Sequence, residues 1–269
     1  WKHHAAQPYA EKIEQSAKKN ASWFCDYGNK VSSEWFFPKV LQIYYEAPEI
    51  YEAADLFIEA ADWIVYQMTN KLVRNSATLG VNYFYDPDRG YPDKDFLKSI
   101  EPGIENIVEK KLWGEIAPVG TCAGNLTEDF AALLGLTPNT LVSVGHGDSE
   151  VAACGAGVVD TNTMIMVMGT STCHQIMYDK KRCFTGVGTI VKDGMIPGFY
   201  AYESGQPAVG DVFDWYSRNL VPMEYVKESS SASKNILDII GEKAALLKPG
   251  ESGLIALEWL NGNRSILMD

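Results

Sequence analysis

The sequence lacks several features that would place it in a class at once. Its first methionine is Met68, its five cysteines include no Cys-x-x-Cys pair, and no apolar run approaches the ~20 residues of a membrane-spanning helix. Scattered cysteines fit neither a zinc ribbon nor a disulfide framework, so we expect reduced, mostly buried thiols in a cytoplasmic protein. Because the chain opens on Trp1, we also expect it to be an internal fragment of a longer protein.

An excess of positive charge is also lacking. The 269 residues include 23 basic and 35 acidic side chains, a formal net charge of −12. The electrostatic field of a protein with this negative net charge attracts neither nucleic-acid phosphates nor anionic lipids, so we expect no nucleic-acid or membrane partner. Small substrates, and anions held by local backbone dipoles, are compatible with it. The 46% apolar and 22% charged fractions are typical of a globular protein.

The sequence changes character near its middle. Up to about residue 137, helical patterns dominate, with one alternating stretch at residues 79–85 that predicts a short strand. Beyond that point, apolar strands alternate with turns and helices. The length corresponds to about two domains, and we predict a helix-rich part, residues 1–160, followed by an α/β part, residues 161–269.

Two segments of the middle region carry candidate chemistry. A buried strand predicted at residues 140–144 runs into a small-residue helix, which places Asp148 at the helix N-terminus. About twenty residues later, strands predicted at residues 163–168 and 173–178 flank a turn of small and hydroxyl-bearing residues: Gly169, Thr170, Ser171 and Thr172. Free backbone N–H groups and hydroxyls in such a turn suit a phosphate group.

Each segment also has an ordinary structural explanation. An aspartate at a helix start is more often a cap than a catalyst, and a glycine-hydroxyl turn also closes simple hairpins. Together they indicate more. Phosphoryl transfer to an alcohol needs a group that accepts the hydroxyl proton and backbone donors that hold the γ-phosphate in line. The pair of segments supplies both.

Five blocks of the sequence resemble one known family. They are Trp1-Lys2-His3-His4-Ala5-Ala6-Gln7, Ser32-Ser33-Glu34-Trp35-Phe36-Phe37-Pro38-Lys39, Gly145-His146-Gly147-Asp148, Met168-Gly169-Thr170-Ser171-Thr172-Cys173-His174 and Tyr202-Glu203-Ser204-Gly205-Gln206. In this order they are similar to the FGGY family of carbohydrate kinases, over essentially the whole chain. The last two blocks resemble the branch that acts on L-ribulose.

The resemblance implies a fold and two cofactors. The fold is a pair of actin-like, ribonuclease-H-type α/β domains, with ATP and Mg²⁺ in the cleft between them. Residues 1–160 then correspond to the sugar-binding domain without its start, and residues 161–269 to the beginning of the nucleotide-binding domain. The family's Asp-x-Gly-Thr phosphate loop and glycine-rich adenine-binding segment have no counterpart here, so we expect the fragment alone to be inactive and the intact protein to be active.

The resemblance also implies roles for particular residues. Asp148 matches the general base, and Gly169, Thr170, Ser171 and Thr172 match the second phosphate-binding turn. Trp1 and Glu203 match positions that contact the sugar, and no side chain is singled out as a metal ligand. The implied reaction is ATP-dependent phosphorylation of the terminal hydroxyl of a ketopentose, L-ribulose to L-ribulose 5-phosphate in arabinose catabolism, with the sugar and ATP as the partners.

One departure from the family leaves alternatives open. The L-ribulose branch usually has a lysine in the stretch predicted as a strand at residues 79–85, where this chain has Asn82. The substrate is therefore open between L-ribulose and another sugar or polyol, such as D-ribulose or xylulose, and a non-catalytic sugar-binding role also stays open. A thiol hydrolase using Cys173 and His174 is disfavoured, because adjacent side chains on a strand point to opposite faces. A homodimer also stays open.

Overall fold

The structure is a computed structural model that describes residues 3–169, 171–257 and 259–267. Over these residues the helices are α1 (Gln7–Asn20), α2 (Phe36–Glu46), α3 (Pro48–Ala53), α4 (Ala60–Thr69), α5 (Ser76–Asn82), α6 (Lys94–Ile100), α7 (Ile107–Lys111), α8 (Glu128–Leu134), α9 (Asp148–Gly155), α10 (Gly210–Asn219), α11 (Met223–Ala232) and α12 (Ile236–Ala244). Short 3₁₀ helices lie at Ser22–Tyr27 and Pro102–Ile104.

The strands of the described residues form three sheets. They are β1 (Val73–Asn75), β2 (Glu115–Ala117), β3 (Cys122–Asn125), β4 (Leu141–Ser143), β5 (Met164–Met168), β6 (Thr172–Tyr178), β7 (Thr189–Lys192) and β8 (Tyr200–Gln206). Strands β5, β6, β8 and β7, in that order, make an antiparallel sheet, β1 pairs with β2 in parallel, and β3 pairs with β4 antiparallel. The predicted hairpin around residue 170 is therefore confirmed.

The first part of the chain is built around an aromatic-rich core. Phe37 and Leu41 of α2 pack with Ile13 of α1 and with Phe84, and all four side chains are fully buried. The apolar residues of α2 recur at three- and four-residue spacing, which places them on one face of the helix. Burial of this face holds α1, α2 and α5 together.

Strand β4 differs from its prediction in burial. The strand is present, but Leu141 is 68% exposed. An apolar run shows that a segment is suited to a strand, whereas its burial depends on what packs over it.

Helix α5 replaces the strand predicted at residues 79–85, and that prediction is wrong. The Asn75 side-chain oxygen accepts hydrogen bonds from Ala77 N at 2.7 Å and Thr78 N at 3.3 Å, which caps the first turn of a helix. A short alternating apolar stretch fits both the two-residue period of a strand and the 3.6-residue period of a helix. The Asn75 cap before it favours the helix. Asn82 is consequently the last residue of α5.

Gly80 allows α5 to approach strand β7 closely. A Cβ atom at Gly80 would lie 2.3 Å from Val191 Cγ1, well inside van der Waals contact. We expect Gly80→Ala to lower the free energy of unfolding by ~1–3 kcal/mol, the usual cost of overpacking a core. Urea denaturation measures this loss. The double variant Gly80→Ala/Val191→Ala should recover part of it, and strictly additive losses would contradict the contact.

The cysteines do not match the expected reduced, mostly buried thiols. Cys25 and Cys183, 158 residues apart, form a disulfide with Cα atoms 5.6 Å apart, and Cys122 and Cys154 are exposed. The expectation is wrong because the pairing joins segments that only the fold brings together. The disulfide removes the cysteine argument for a reducing compartment, so the cytoplasmic location stays a prediction. No helix in the described ranges is long and apolar enough to cross a membrane.

Candidate active site

A cavity of about 700 Å³ opens between the aromatic-rich part and the four-stranded sheet. Its walls come from α2 and the residues before it, from residues 57–59, from the end of α5, from the start of α9, and from the ends of β5, β6 and β8. Such a volume is typical of a site for a small organic ligand. The cavity brings together segments from both ends of the chain.

Acidic groups outnumber basic groups among the described residues that line the cavity. The acidic side chains are Glu34, Glu59, Asp148 and Glu203, and the basic ones are Lys39 and Arg264. Arg264 Nη2 donates to both oxygens of Glu34, at 3.2 and 3.3 Å, across 230 residues of sequence. An anionic ligand in this cavity therefore depends on the two basic groups and on local backbone dipoles.

Asp148 lies at the start of α9, as the sequence predicts. Gly147 is the residue before the helix and adopts an extended conformation, and Asp148 is the first helical residue. The unpaired N–H groups of a helix N-terminus favour a negative side chain in this position. Asp148 is exposed to the cavity, where a substrate hydroxyl has access to its carboxylate.

Buried Asn75 connects Asp148 to the rest of the site. Its Nδ2 donates to the Gly145 carbonyl oxygen and lies 3.1 Å from His146 Nδ1, and its backbone N–H donates to Asp62 Oδ1 at 3.1 Å. The same side chain caps α5, so one residue fixes both the helix that carries Asn82 and the segment that leads to Asp148. Burial lowers the pKa of His146, which keeps the ring neutral in this network.

The turn between β5 and β6 only partly has its predicted form. Gly169 and Ser171 line the cavity, whereas Thr172 is buried at the start of β6 and does not line it. The Gly169 N–H donates to the Ser171 carbonyl oxygen at 2.8 Å, so this donor is used inside the turn. Thr170 lies outside the described residues.

Glu203 lies on β8, directly opposite Gln175 of β6. The pKa of Glu203 is raised to about 7. Burial is the main cause and the neighbouring Glu150 carboxylate adds to it, while the hydrogen bond from Gln175 and the charge of Arg264 act in the opposite direction. Near neutral pH, the carboxyl group is therefore balanced between its protonated and ionised forms. The ionised form accepts the stronger, charge-assisted hydrogen bond from a sugar hydroxyl.

Cys173 does not have the properties of a nucleophile. Burial raises its pKa to about 12, with a further contribution from Glu203, so the thiol is protonated at neutral pH. A thiolate is the reactive form of cysteine. The neighbouring His174 follows it on strand β6, which agrees with the sequence argument against a hydrolase.

The predicted sugar contacts are divided between described and undescribed residues. Asn82 lines the cavity, and its Nδ2 donates to Glu59 Oε1 at 3.2 Å. Glu203 also lines it. Trp1 lies outside the described residues. Asn82, Asp148, Gly169, Ser171 and Glu203 thus share one cavity.

Sequence reasoning missed the basic residues of the cavity. Lys39 ends the block that starts at Ser32, which resembles the family. The sequence shows its charge but does not indicate that it faces a cavity. Within the described part of the chain, its ammonium group has no hydrogen-bond or ion-pair partner. Arg264 had no local signal, because its partner Glu34 lies at the other end of the sequence.

A separate group of side chains has metal-ligand chemistry. In the described ranges, Cys25, Asp26 and Cys183 have ligand atoms within 4.8 Å of one another. The two cysteines form the disulfide, and Asp26 accepts a hydrogen bond from Lys181 Nζ at 2.6 Å. None of the three lines the cavity, so this group offers no metal ligand to a reaction there.

Comparison with known proteins gives consistent matches. The pattern of the FGGY family of carbohydrate kinases, N-terminal domain, matches residues 1–155, and that of the C-terminal domain matches residues 164–269. Ribulokinases from Anoxybacillus flavithermus and Geobacillus thermodenitrificans are 46% and 45% identical over 271 residues, each covering 100% of this chain and 48% of the relative. The chain spans about half the length of the curated relatives it matches.

A solved structure supports the fold. The xylulose kinase from Rhodospirillum rubrum superposes with a TM-score of 0.75 at 20% identity, over 94% of this chain and 49% of that chain. At this level of identity the likeness concerns the fold alone, and it confirms the predicted sugar-kinase fold. From the two matched domain patterns and the relatives, the chain belongs to the FGGY family of carbohydrate kinases.

Proposed function

We propose that the protein transfers the γ-phosphoryl group of ATP to the terminal hydroxyl of a ketopentose, with L-ribulose as the substrate and L-ribulose 5-phosphate as the product. The observation that carries this proposal is the position of Asp148. Its carboxylate stands at a helix start in a ligand-sized cavity that also holds Glu203 and the turn at Gly169. The likeness to ribulokinases supports ribulose over other ketoses, and the resemblance of the last two sequence blocks to the L-ribulose branch favours the L form.

Asp148 acts as the general base in the proposed reaction. It accepts the proton of the sugar's terminal hydroxyl as the oxygen attacks the γ-phosphorus, and the bond to the β,γ-bridging oxygen of ATP breaks. General-base catalysis is typically worth about 10²–10⁴ in rate. The hydrogen bonds from Asn75 to the segment before α9 hold this carboxylate in place.

Glu203, Asn82 and Trp1 bind the sugar in this proposal. Glu203 accepts a hydroxyl hydrogen bond, and Asn82 offers an amide beside Glu59. Trp1 lies outside the described residues, and its role in packing on the carbon skeleton rests on the family resemblance alone. An amide at position 82 hydrogen-bonds hydroxyls without a charge, so selectivity among ketoses then depends on the geometry of these contacts. D-Ribulose and xylulose are the alternative substrates.

Gly169, Thr170, Ser171 and Thr172 are the proposed phosphate-binding turn. The Ser171 hydroxyl at the cavity wall is a donor for a phosphate oxygen, and buried Thr172 anchors the turn on β6. Lys39 and Arg264 supply positive charge in the same cavity. When bound with ATP, Mg²⁺ would neutralise part of the phosphate charge during transfer.

We assign residues 1–160 to the sugar-binding domain and residues 161–269 to the start of the nucleotide-binding domain. The negative net charge gives no basis for a nucleic-acid or membrane partner. The cytoplasm is the proposed compartment, because ATP and the sugar are the proposed partners.

A coupled assay on the protein expressed from its full coding sequence tests the function. ATP and Mg²⁺ are supplied with L-ribulose, D-ribulose or xylulose, and ADP release is followed. We expect the highest kcat/KM with L-ribulose. A higher kcat/KM with another ketose would correct the substrate, and no transfer to any of the three would refute the kinase proposal.

Lys39 is expected to contribute to the binding of the phosphate groups. Replacing it with methionine keeps the apolar stem and removes the charge, and we expect kcat/KM for ATP to fall about tenfold or more, as for loss of one charge-assisted hydrogen bond. Lys98→Met, at an exposed position of α6, is the matched control. Equal kinetics for the two variants would exclude a role for Lys39.

A further inference from the structure

Gln175 occupies a central position beside the site. It lies in β6, which pairs with β5 on one side and β8 on the other, and its side chain is 2% exposed. Glu203 is its direct cross-strand partner on β8, so the two side chains share one face of the sheet. The proposed roles of the cavity residues make no use of this buried amide.

The Gln175 amide connects two elements. Its Nε2 donates to Glu203 Oε2 at 3.2 Å and to Ser149 Oγ at 3.3 Å. Ser149 follows Asp148 in the first turn of α9, and its hydroxyl donates to Glu150 Oε2 at 2.9 Å. One NH₂ group therefore contacts both the strand that carries Glu203 and the helix start that carries Asp148.

Packing does not account for an amide at this position. Gln175 Oε1 is buried and has no partner among the described residues, which is unfavourable for a polar atom. Methionine has a similar length and would avoid this cost. The two hydrogen bonds of the NH₂ group are the part of the side chain that an apolar residue cannot supply.

We propose that Gln175 is a positioning residue for phosphoryl transfer, whose amide holds the Glu203 carboxylate and the first turn of α9 at a fixed separation. This inference rests on the proposed kinase function. In this proposal, strand β6 sets the distance between Glu203, which binds the sugar, and Asp148, which accepts its proton.

The charged surroundings of Glu203 give the proposal a pH signature. The titratable groups that face Glu203 are Glu150 on α9, Cys173 on β6 and Arg264. The hydrogen bond from Gln175 lowers the pKa of Glu203, against the opposing effects of burial and Glu150. Loss of that donor raises the pKa above its value of about 7, so the ionised form is reached only at higher pH.

The test compares Gln175→Met with the wild-type protein, both expressed from the full coding sequence. We expect KM for L-ribulose to rise about tenfold at pH 7, KM for ATP to change less than about twofold, and the acid limb of log(kcat/KM) for the sugar to move up by about one pH unit. Assay at pH 9 should restore most of the loss. A purely structural role would not move the acid limb.

One further variant separates the two hydrogen bonds, and a second is a control on the same strand. Ser149→Ala removes the contact of Gln175 with α9, together with the hydrogen bond from Ser149 to Glu150 inside the helix. It leaves the hydrogen bond between Gln175 and Glu203 in place, so we expect kcat to fall about threefold to tenfold without a shift of the acid limb. Ile176→Ala, the next residue of β6, disturbs the strand from its other face and should leave the pH profile unchanged. If Gln175→Met does not fold, Gln175→Glu, which keeps the side-chain shape and adds a carboxyl group, should shift the limb in the same direction.

The outcomes distinguish this inference from the proposed function. If the wild-type protein is active and the folded Gln175 variants show no shift of the acid limb, the positioning role is overturned and the kinase proposal stands. Absence of transfer by the wild-type protein to any ketose would overturn both.

Discussion

Asp148→Asn is expected to lower kcat for the proposed phosphorylation of L-ribulose by about 10²–10⁴ or more, while KM for ATP stays nearly unchanged. Asparagine cannot accept the hydroxyl proton, yet its side chain has nearly the same shape. It is also favoured near helix starts, so α9 should form as before. Initial rates in the coupled assay measure the loss, and the thermal unfolding midpoint verifies that the variant folds.

Asp129→Asn is the matched control for this experiment. Asp129 is also an exposed aspartate in the first turn of a helix, α8, and it does not line the cavity. We expect its kinetics to equal those of the wild-type protein. A kcat for Asp148→Asn within tenfold of that of the control would contradict the general-base assignment.

Arg74→Met is expected to destabilise the protein more than any surface change. Arg74 is fully buried in β1, where its Nε donates to Trp113 O at 3.0 Å and its Nη2 donates to Phe57 O at 2.5 Å. Methionine leaves both carbonyl groups without these donors. It also leaves Asp62, whose pKa burial raises to about 6, without the opposing charge of Arg74. Breaking such a buried charged network costs ~3–5 kcal/mol.

The thermal unfolding midpoint of Arg74→Met should fall by roughly 5–15 °C, given the usual relation between free energy and midpoint for a chain of this size. Arg218→Met, which removes an exposed pair with Asp214 on α10, is the control and should change the midpoint little. Arg74 holds Phe57, which lines the cavity. The affinity for the sugar should therefore also weaken in Arg74→Met, at temperatures below the unfolding midpoint of the variant. Equal midpoints for the two variants would show that the buried network contributes no stability.

Local signals account for the features that the sequence predicted well. The small-residue run after Asp148 forms α9, and the apolar strands around residue 170 pair as a hairpin. Both depend on neighbours within a few residues, where periodicity and capping rules apply. The strand prediction at residues 79–85 failed because the residue that starts the helix there, Asn75, lies before the alternating pattern.

Long-range contacts account for the features that the sequence left out. The ion pair of Arg264 with Glu34 and the hydrogen bond of Asn75 with Gly145 join segments 230 and 70 residues apart. A linear pattern holds no information on which distant polar groups meet. For the same reason, the burial of Thr172 and the contacts of Gln175 became apparent only from the packing of β6.

The disulfide between Cys25 and Cys183 makes most of the site part of one covalent ring. Asn82, Asp148 and the turn at Gly169 lie inside the ring, whereas Glu203 lies in the tail that follows it. A protease that cuts the chain once between the two cysteines therefore opens the ring without releasing a piece. The two fragments that such a cut produces stay joined by the disulfide until a reductant is added.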